Sequence, residues 1–188
     1  MTDLRTYIQQ FIVLQPREWQ FVQERFERVE LHPQQLLLKE GSVCRYLYFL
    51  EEGLLRYFIW NDGIDKTKFF TYHNIFFTSI RSFRRGLPAT ENIQALEYCR
   101  LQRVHIDRLK EIQTAIPRWQ SLTTAVVSQV QVWTEDLMLA LQNETAADRY
   151  RKMLVQQPDL VRRIPLKYLA SFLGIAPESL SRIRRQMA

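Results

Sequence analysis

The stretch that most restricts the fold lies near the C-terminal end, where residues 166–185 read LKYLASFLGIAPESLSRIRR. Counted from Leu166, apolar residues occupy the fourth, eighth, tenth, fifteenth and eighteenth positions, which are Leu169, Leu173, Ile175, Leu180 and Ile183. Two short helices joined by a tight turn touch at such positions. Ala170 is small enough to let the second helix approach, and Gly174 tolerates the left-handed backbone of the turn. Pro177 opens the second helix with its φ already set. The pattern predicts a helix-turn-helix, with an ordinary helical hairpin as the alternative.

The distribution of charge favours the first reading. The chain of 188 residues carries 26 Lys+Arg and 20 Asp+Glu, a net charge of +6. Residues 143–188 hold nine of the basic residues (Arg149, Arg151, Lys152, Arg162, Arg163, Lys167, Arg182, Arg184, Arg185) and four of the acidic ones (Glu144, Asp148, Asp159, Glu178). The remainder is nearly neutral, so the terminal quarter carries the surplus and points to an anionic partner, nucleic acid above all. In a helix-turn-helix the second helix enters the DNA major groove. Here it would present Glu178, Ser179, Ser181, Arg182 and Arg185. Arg182 suits guanine O6 and N7, and Glu178 suits the cytosine amino group. Ser179, Lys167 and Arg185 suit phosphates. The competing reading of Glu178 and Arg182 is an intrahelical ion pair worth roughly a few tenths of a kcal/mol.

Upstream, the hydrophobic period changes twice. Leu4, Ile8, Phe11 and Ile12 predict a first helix, and Pro16 opens a second running through Trp19, Val22 and Phe26. Between residues 29 and 104, short runs of Leu, Tyr, Phe and Ile separated by turn residues predict strands in an antiparallel sandwich or roll. Asn61-Asp62-Gly63 marks a hairpin turn. After Pro117 the period is helical again, predicting a helix of about 25 residues, roughly 37 Å long. Trp119, Leu122, Val126, Val130, Trp133 and Leu137 fall on one face, which Leu141 continues and Val127 and Met138 widen. That face is expected to cover part of the β domain and to pair with the same helix of a second subunit, Thr123 and Gln129 setting the register. The alternative is a helix packed wholly within one subunit. Residues 143–157 predict a further helix ending at Pro158, and Arg163-Ile164-Pro165 leads into the next.

Composition narrows the classes. With 46% hydrophobic residues, 24% charged, 5 Gly and 7 Pro, the chain is neither disordered, collagenous nor of low complexity, and is long enough to bury roughly 70% of its unfolded surface. No apolar run reaches the ~18 residues of a membrane span and the N-terminus lacks a signal-peptide layout, so a cytoplasmic protein without membrane contact is expected. Cys44 and Cys99 read as buried thiols, and His32, His73 and His105 are too scattered for zinc, so no metal or cofactor is expected. A cupin-like metalloenzyme would need clustered ligands that the sequence does not offer.

Taken together, a β-rich N-terminal part, one long helix and a terminal segment ending in GIAPESLSRIRR resemble the bacterial Crp/Fnr superfamily of transcription regulators. The resemblance covers nearly the whole chain and is most specific over residues 166–185, where Glu178 and Arg182 match the family's base-reading Glu and Arg and Ser179 a phosphate-contacting hydroxyl. It implies an α+β protein that is not an enzyme: a double-stranded, jelly-roll-like β-roll of the cyclic-nucleotide-binding type in residues 1–116, a dimerisation helix in 117–142 and a helix-turn-helix in 143–188. The partners it implies are double-stranded DNA, a second copy of the chain, RNA polymerase and a small-molecule effector. Recognition helices of the dimer would lie about 34 Å apart, one turn of DNA.

The same resemblance marks departures. Members that bind cyclic AMP place a Glu on the ribose and an Arg on the cyclic phosphate. In the corresponding residues 77–90, aligned on Gly86, Ser79 takes the Glu position, Ala89 the Arg position, and Thr90 keeps the final hydroxyl. Without a guanidinium a buried phosphate lacks its partner, so cyclic AMP is not expected in the usual pose. Arg81, Arg84 and Arg85 are candidate replacements, with a solvated loop as the alternative. The effector pocket is therefore expected around Ser79, Arg81, Ala89 and Thr90. The N-terminal cysteines of the iron-sulfur members are missing, and His73 is the candidate for a haem ligand. Many members insert a β-hairpin wing where this chain runs from Pro158 to Pro165.

Overall fold

A computed structural model describes residues 3–72 and 74–187. Helices α1 (Leu4–Gln9) and α2 (Pro16–Gln23) lead into strands β1 (Glu27–Leu31), β2 (Leu36–Leu38), β3 (Tyr46–Glu52), β4 (Leu54–Asn61), β5 (Ile64–Tyr72) and β6 (Ile75–Phe77). A short helix α3 (Ile80–Arg85), strands β7 (Asn92–Ala95) and β8 (Cys99–His105), and helices α4 (Ile106–Ala115), α5 (Trp119–Asn143), α6 (Ala146–Gln156), α7 (Pro158–Arg163), α8 (Leu166–Leu173) and α9 (Pro177–Met187) follow. The strands form two four-stranded antiparallel sheets, ordered β1-β8-β3-β6 and β2-β7-β4-β5. Asp62 and Gly63 turn β4 into β5 with φ of 53° and 76°, the left-handed pair of a tight hairpin.

The continuous apolar runs within the strands have a simple cause, since both sheets are covered on both faces. In β3, Tyr48 and Leu50 point between the sheets and join Leu55, Tyr57, Phe77, Ile93 and Leu101. Leu47 and Phe49 point the other way, onto α1, α2, α4 and the start of α5, with Ile8, Val22, Ile112, Trp119 and Leu122. In the second sheet Leu55 and Tyr57 face inward, whereas Leu54, Phe70 and Tyr72 face outward and pack against α6 to α9. The β-roll is thus a filling between two helical layers. Cys44 and Cys99 are both buried, and burial pushes the Cys99 thiol up to about 11.

Three elements differ from expectation. Helix α4 escaped the sequence reading because charged residues such as Arg108, Lys110 and Glu111 mask its short inward stripe, Leu109 and Ile112. The helix expected over 143–157 begins at Ala146, because the Thr145 side chain caps it by accepting from the Asp148 amide. Pro158 then starts α7 as its first residue, where it leaves no backbone donor unsatisfied. No strand follows β8 among the described residues.

Helix α5 runs 25 residues, and the first part of the expected face is taken up by the subunit's own core. Trp119 and Leu122 are each 2% exposed within the subunit's own core, and Val126 packs against the same cluster, so Trp119 and Leu122 have no surface to offer a second subunit. Trp133 packs edge-on against Phe69 at 5.5 Å between ring centres. Substituting Trp119→Ala should cost about 3–5 kcal/mol in urea unfolding, the cost of emptying a large core site. A loss below about 1 kcal/mol would contradict the placement of Trp119 in the core.

Candidate nucleic-acid interface and effector site

The terminal pair of helices is built by the residues that the sequence pattern singled out. Leu169, Ala170, Leu173 and Leu180 are fully buried, and Ile175 and Ile183 pack at the edge of the same cluster. Gly174 ends α8 in the left-handed conformation, φ 74°, and the Ile175 amide donates to the Ala170 carbonyl at 3.1 Å, closing the turn. Pro177 opens α9.

This leaves a defined outer face. Glu178, Arg182 and Arg185 are exposed at helical spacing on α9, Ser179 and Ser181 are half-buried, and Lys167 is exposed in the first turn of α8. Most cations of the terminal segment are engaged internally: Arg151 with Asp148, Lys152 with Glu144, Arg162 with Asp159 and Arg163 with Glu97. Arg149 donates to the Glu144 and Leu173 carbonyls, and Arg184 to the Tyr150 hydroxyl. Lys167, Arg182 and Arg185 make no ion pair among the described residues, and no ion pair joins Glu178 to Arg182. Of the cations without a carboxylate partner, Lys167, Arg182 and Arg185 are the exposed ones, Lys167 also lying over the Tyr168 ring.

The face opposite is docked on the roll through a buried charge that the sequence reading missed. Arg56 interrupts the apolar run of β4 and points outward, yet its side chain is only 3% exposed. Its guanidinium donates to both carboxylate oxygens of Asp65 at 2.7 and 2.6 Å, and to Gln94 at 3.0 Å. It is held between the rings of Phe58 and Tyr168, 4.0 and 3.6 Å from their centres. Alongside, the Thr67 amide donates to Ser171 Oγ at 2.9 Å, the Ser171 hydroxyl donates to the Asp65 carbonyl at 3.2 Å, and Phe172 meets Phe70 edge-on. A charged residue inside an apolar strand was the available signal, since a buried guanidinium requires a carboxylate nearby.

The residues expected to form an effector pocket are not all brought together. Arg81 lies on the outer side of α3 and, with Ile80, Arg84 and Arg85, lines an open depression of about 660 Å³, so it does not replace a buried guanidinium. Ala89 is buried and bridges by its backbone to Gly41 and Ser42. Ser79 and Thr90 do converge, but on a carboxylate: Ser79 Oγ donates to Glu91 Oε1 at 2.7 Å and Thr90 Oγ1 to Glu91 Oε2 at 2.8 Å. Lys68 lies 3.6 Å from the same carboxylate. Burial raises the Glu91 pKa, but the two hydroxyl donors and the Lys68 ammonium more than offset it and hold the group below its usual value. No cluster of three or more His, Cys, Asp or Glu able to hold a metal occurs among the described residues, and His73 lies outside them. No described helix is long and apolar enough to cross a membrane.

Asp65→Ala should destabilise the protein by about 3 kcal/mol, at the low end for a buried pair because Asp65 keeps some exposure. It should also speed hydrogen exchange at the Thr67 amide, which reports the α8 contact. Unchanged stability and unchanged exchange would contradict the docking role of Arg56.

No protein-family model matches the chain, and no curated protein does. Solved structures match its fold. The c-di-GMP-responsive global regulator CLP of Xanthomonas campestris is 14% identical with a TM-score of 0.73, over 92% of this chain and 91% of that one. A Crp/Fnr-family transcriptional regulator from Eubacterium rectale is 15% identical with a TM-score of 0.71, over 92% and 83%. FixK2 from Bradyrhizobium japonicum is 19% identical with a TM-score of 0.68, over 86% and 84%. With two four-stranded antiparallel sheets between helical layers and a helical pair at its C-terminal end, the chain shares the fold of these solved proteins.

Proposed function

We propose that the protein is a homodimeric, sequence-selective DNA-binding transcription regulator, with a sensor in residues 1–116, a dimerisation helix in 117–142 and a helix-turn-helix in 143–188. The observation that carries this reading is the outer face of α9. Glu178, Arg182 and Arg185 form an exposed stripe whose cations make no ion pair among the described residues, while Arg151, Lys152, Arg162 and Arg163 are each paired with a carboxylate. A free guanidinium and a free carboxylate one helical turn apart are equipped to read base edges. Lys167, Ser179, Ser181 and Arg185 flank them as phosphate and backbone contacts that fix the register. RNA polymerase is the partner on which such a DNA-bound regulator acts.

Dimerisation is assigned to α5 along a seam shifted from the sequence expectation. Val127, Val130, Thr134, Leu137 and Leu141 recur at alternating spacings of three and four, over about 21 Å of helix. Val127 and Leu141 are 51% and 55% exposed, and Val130 and Leu137 half-buried. The Thr134 hydroxyl donates to the Val130 carbonyl of its own helix, so it brings no unsatisfied donor to a partner. Val130 and Leu137 belong to both the expected and the proposed seam; Trp119, Leu122, Val126 and Trp133 face the subunit's own core. For the effector, the absent guanidinium and the Glu91 carboxylate both oppose cyclic AMP in its usual pose.

Arg182→Ala should leave the fold intact and cost about 1–3 kcal/mol of discrimination at one base pair in quantitative binding assays. Lys167→Ala should weaken binding to all sequences and lower the salt slope by about 1. Selectivity unchanged by Arg182→Ala would overturn the assignment. Val127→Glu with Leu141→Glu should convert the dimer to a folded monomer in sedimentation velocity; a double variant that stays dimeric would contradict the seam.

A further inference from the structure

We infer that the roll is filled by its own side chains, a carboxylate and a stack of rings, and so holds its arrangement without an anionic effector. The inference rests on the reading of the roll as an effector-type domain and concerns what regulates it.

The carboxylate is Glu91. It gathers donors from three separate segments: Ser79 before α3, Thr90 after it, and Lys68 from β5. Ser79 is 1% exposed, so its hydroxyl has little water to turn to. Lys68 sits at a bulge, on the side opposite Thr67. In the β4–β5 register Tyr57 pairs with Phe69 and Phe58 with Thr67, which leaves Lys68 as the extra residue. A phosphate or carboxylate arriving here would find both hydroxyl donors already spent on an internal anion and would meet that anion's charge.

The rings follow directly from the same bulge. Tyr57, 1% exposed between the sheets, stacks on Phe69 at 4.0 Å, and Phe69 meets Trp133 of α5 edge-on at 5.5 Å. The contact runs unbroken from the middle of the roll to the long helix. Tyr48 and Phe77 stack beside it at 5.2 Å. Side chains alone therefore connect the roll interior to α5.

The test is titration calorimetry of the full-length protein with inorganic phosphate and with cyclic AMP as probes. The wild-type protein should give no binding heat with either at millimolar concentration. Glu91→Ala leaves Ser79, Thr90 and Lys68 unspent, and should gain at least about tenfold in phosphate affinity. Thermal melting establishes that the variant is folded; should it not be, Glu91→Gln keeps the shape, removes the charge, and should gain in the same direction. Wild-type protein that binds either probe below millimolar concentration overturns the inference, as does a folded Glu91 variant that stays as blind as wild type. These readouts involve no DNA, so loss of the regulator reading and loss of this one are separate results.

Discussion

The placement of the terminal helices depends on one buried guanidinium. Arg56 is fixed by both oxygens of Asp65 and clamped between Phe58 and Tyr168, and so ties the β4–β5 hairpin to α8. A buried pair of this kind adds little net stability, because desolvation of the two charges offsets most of their attraction. What it adds is position: Asp65 holds the guanidinium in place, and the Tyr168 ring of α8 seats on it. Because α9 is locked to α8 through Leu169, Ala170, Leu173 and Leu180, the orientation of Arg182 and Glu178 is set by a contact on the far side of the helical pair.

Strand β5 joins the two functional regions. Asp65 and Thr67 face α8, while Lys68 and Phe69, the next residues along, face Glu91 and Tyr57. Alternation puts Lys68 on the side opposite Thr67, and the bulge lets Phe69 share that side instead of returning to the α8 side. A change in the roll interior would consequently be felt at α8 within two residues of chain, and at α5 through Phe69 and Trp133. Helix α8 is coupled to the roll interior by local packing of a single strand.

Much of the terminal region was legible in the sequence because its constraints are local. The positions of Leu169, Leu173 and Leu180, the turn at Gly174 and the start at Pro177 each follow from spacing within twenty residues, as does the Asp62-Gly63 turn from its φ requirement. The length of α5 was legible for the same reason. How much of its apolar face the subunit's own core takes up was not, since spacing alone does not divide one stripe between two partners. Thr90 and Ser79 were noticed but Glu91 was not, because a carboxylate next to a strand reads as a solvated residue until the fold brings Lys68 and Ser79 to it. Arg56 lies inside an apolar run, and spacing alone does not show that α8 covers its outward side. In each case the missing information was tertiary.

The central claim is that a symmetric pair of α9 helices reads DNA. It is tested most directly by selecting binding sites for the full-length protein from random duplex DNA. The account predicts enrichment of a twofold-symmetric sequence whose half-sites lie about 34 Å apart, one helical turn, each containing a G·C pair that Arg182 can read. Enrichment of no sequence, or of a single asymmetric site bound by a monomer, would contradict it.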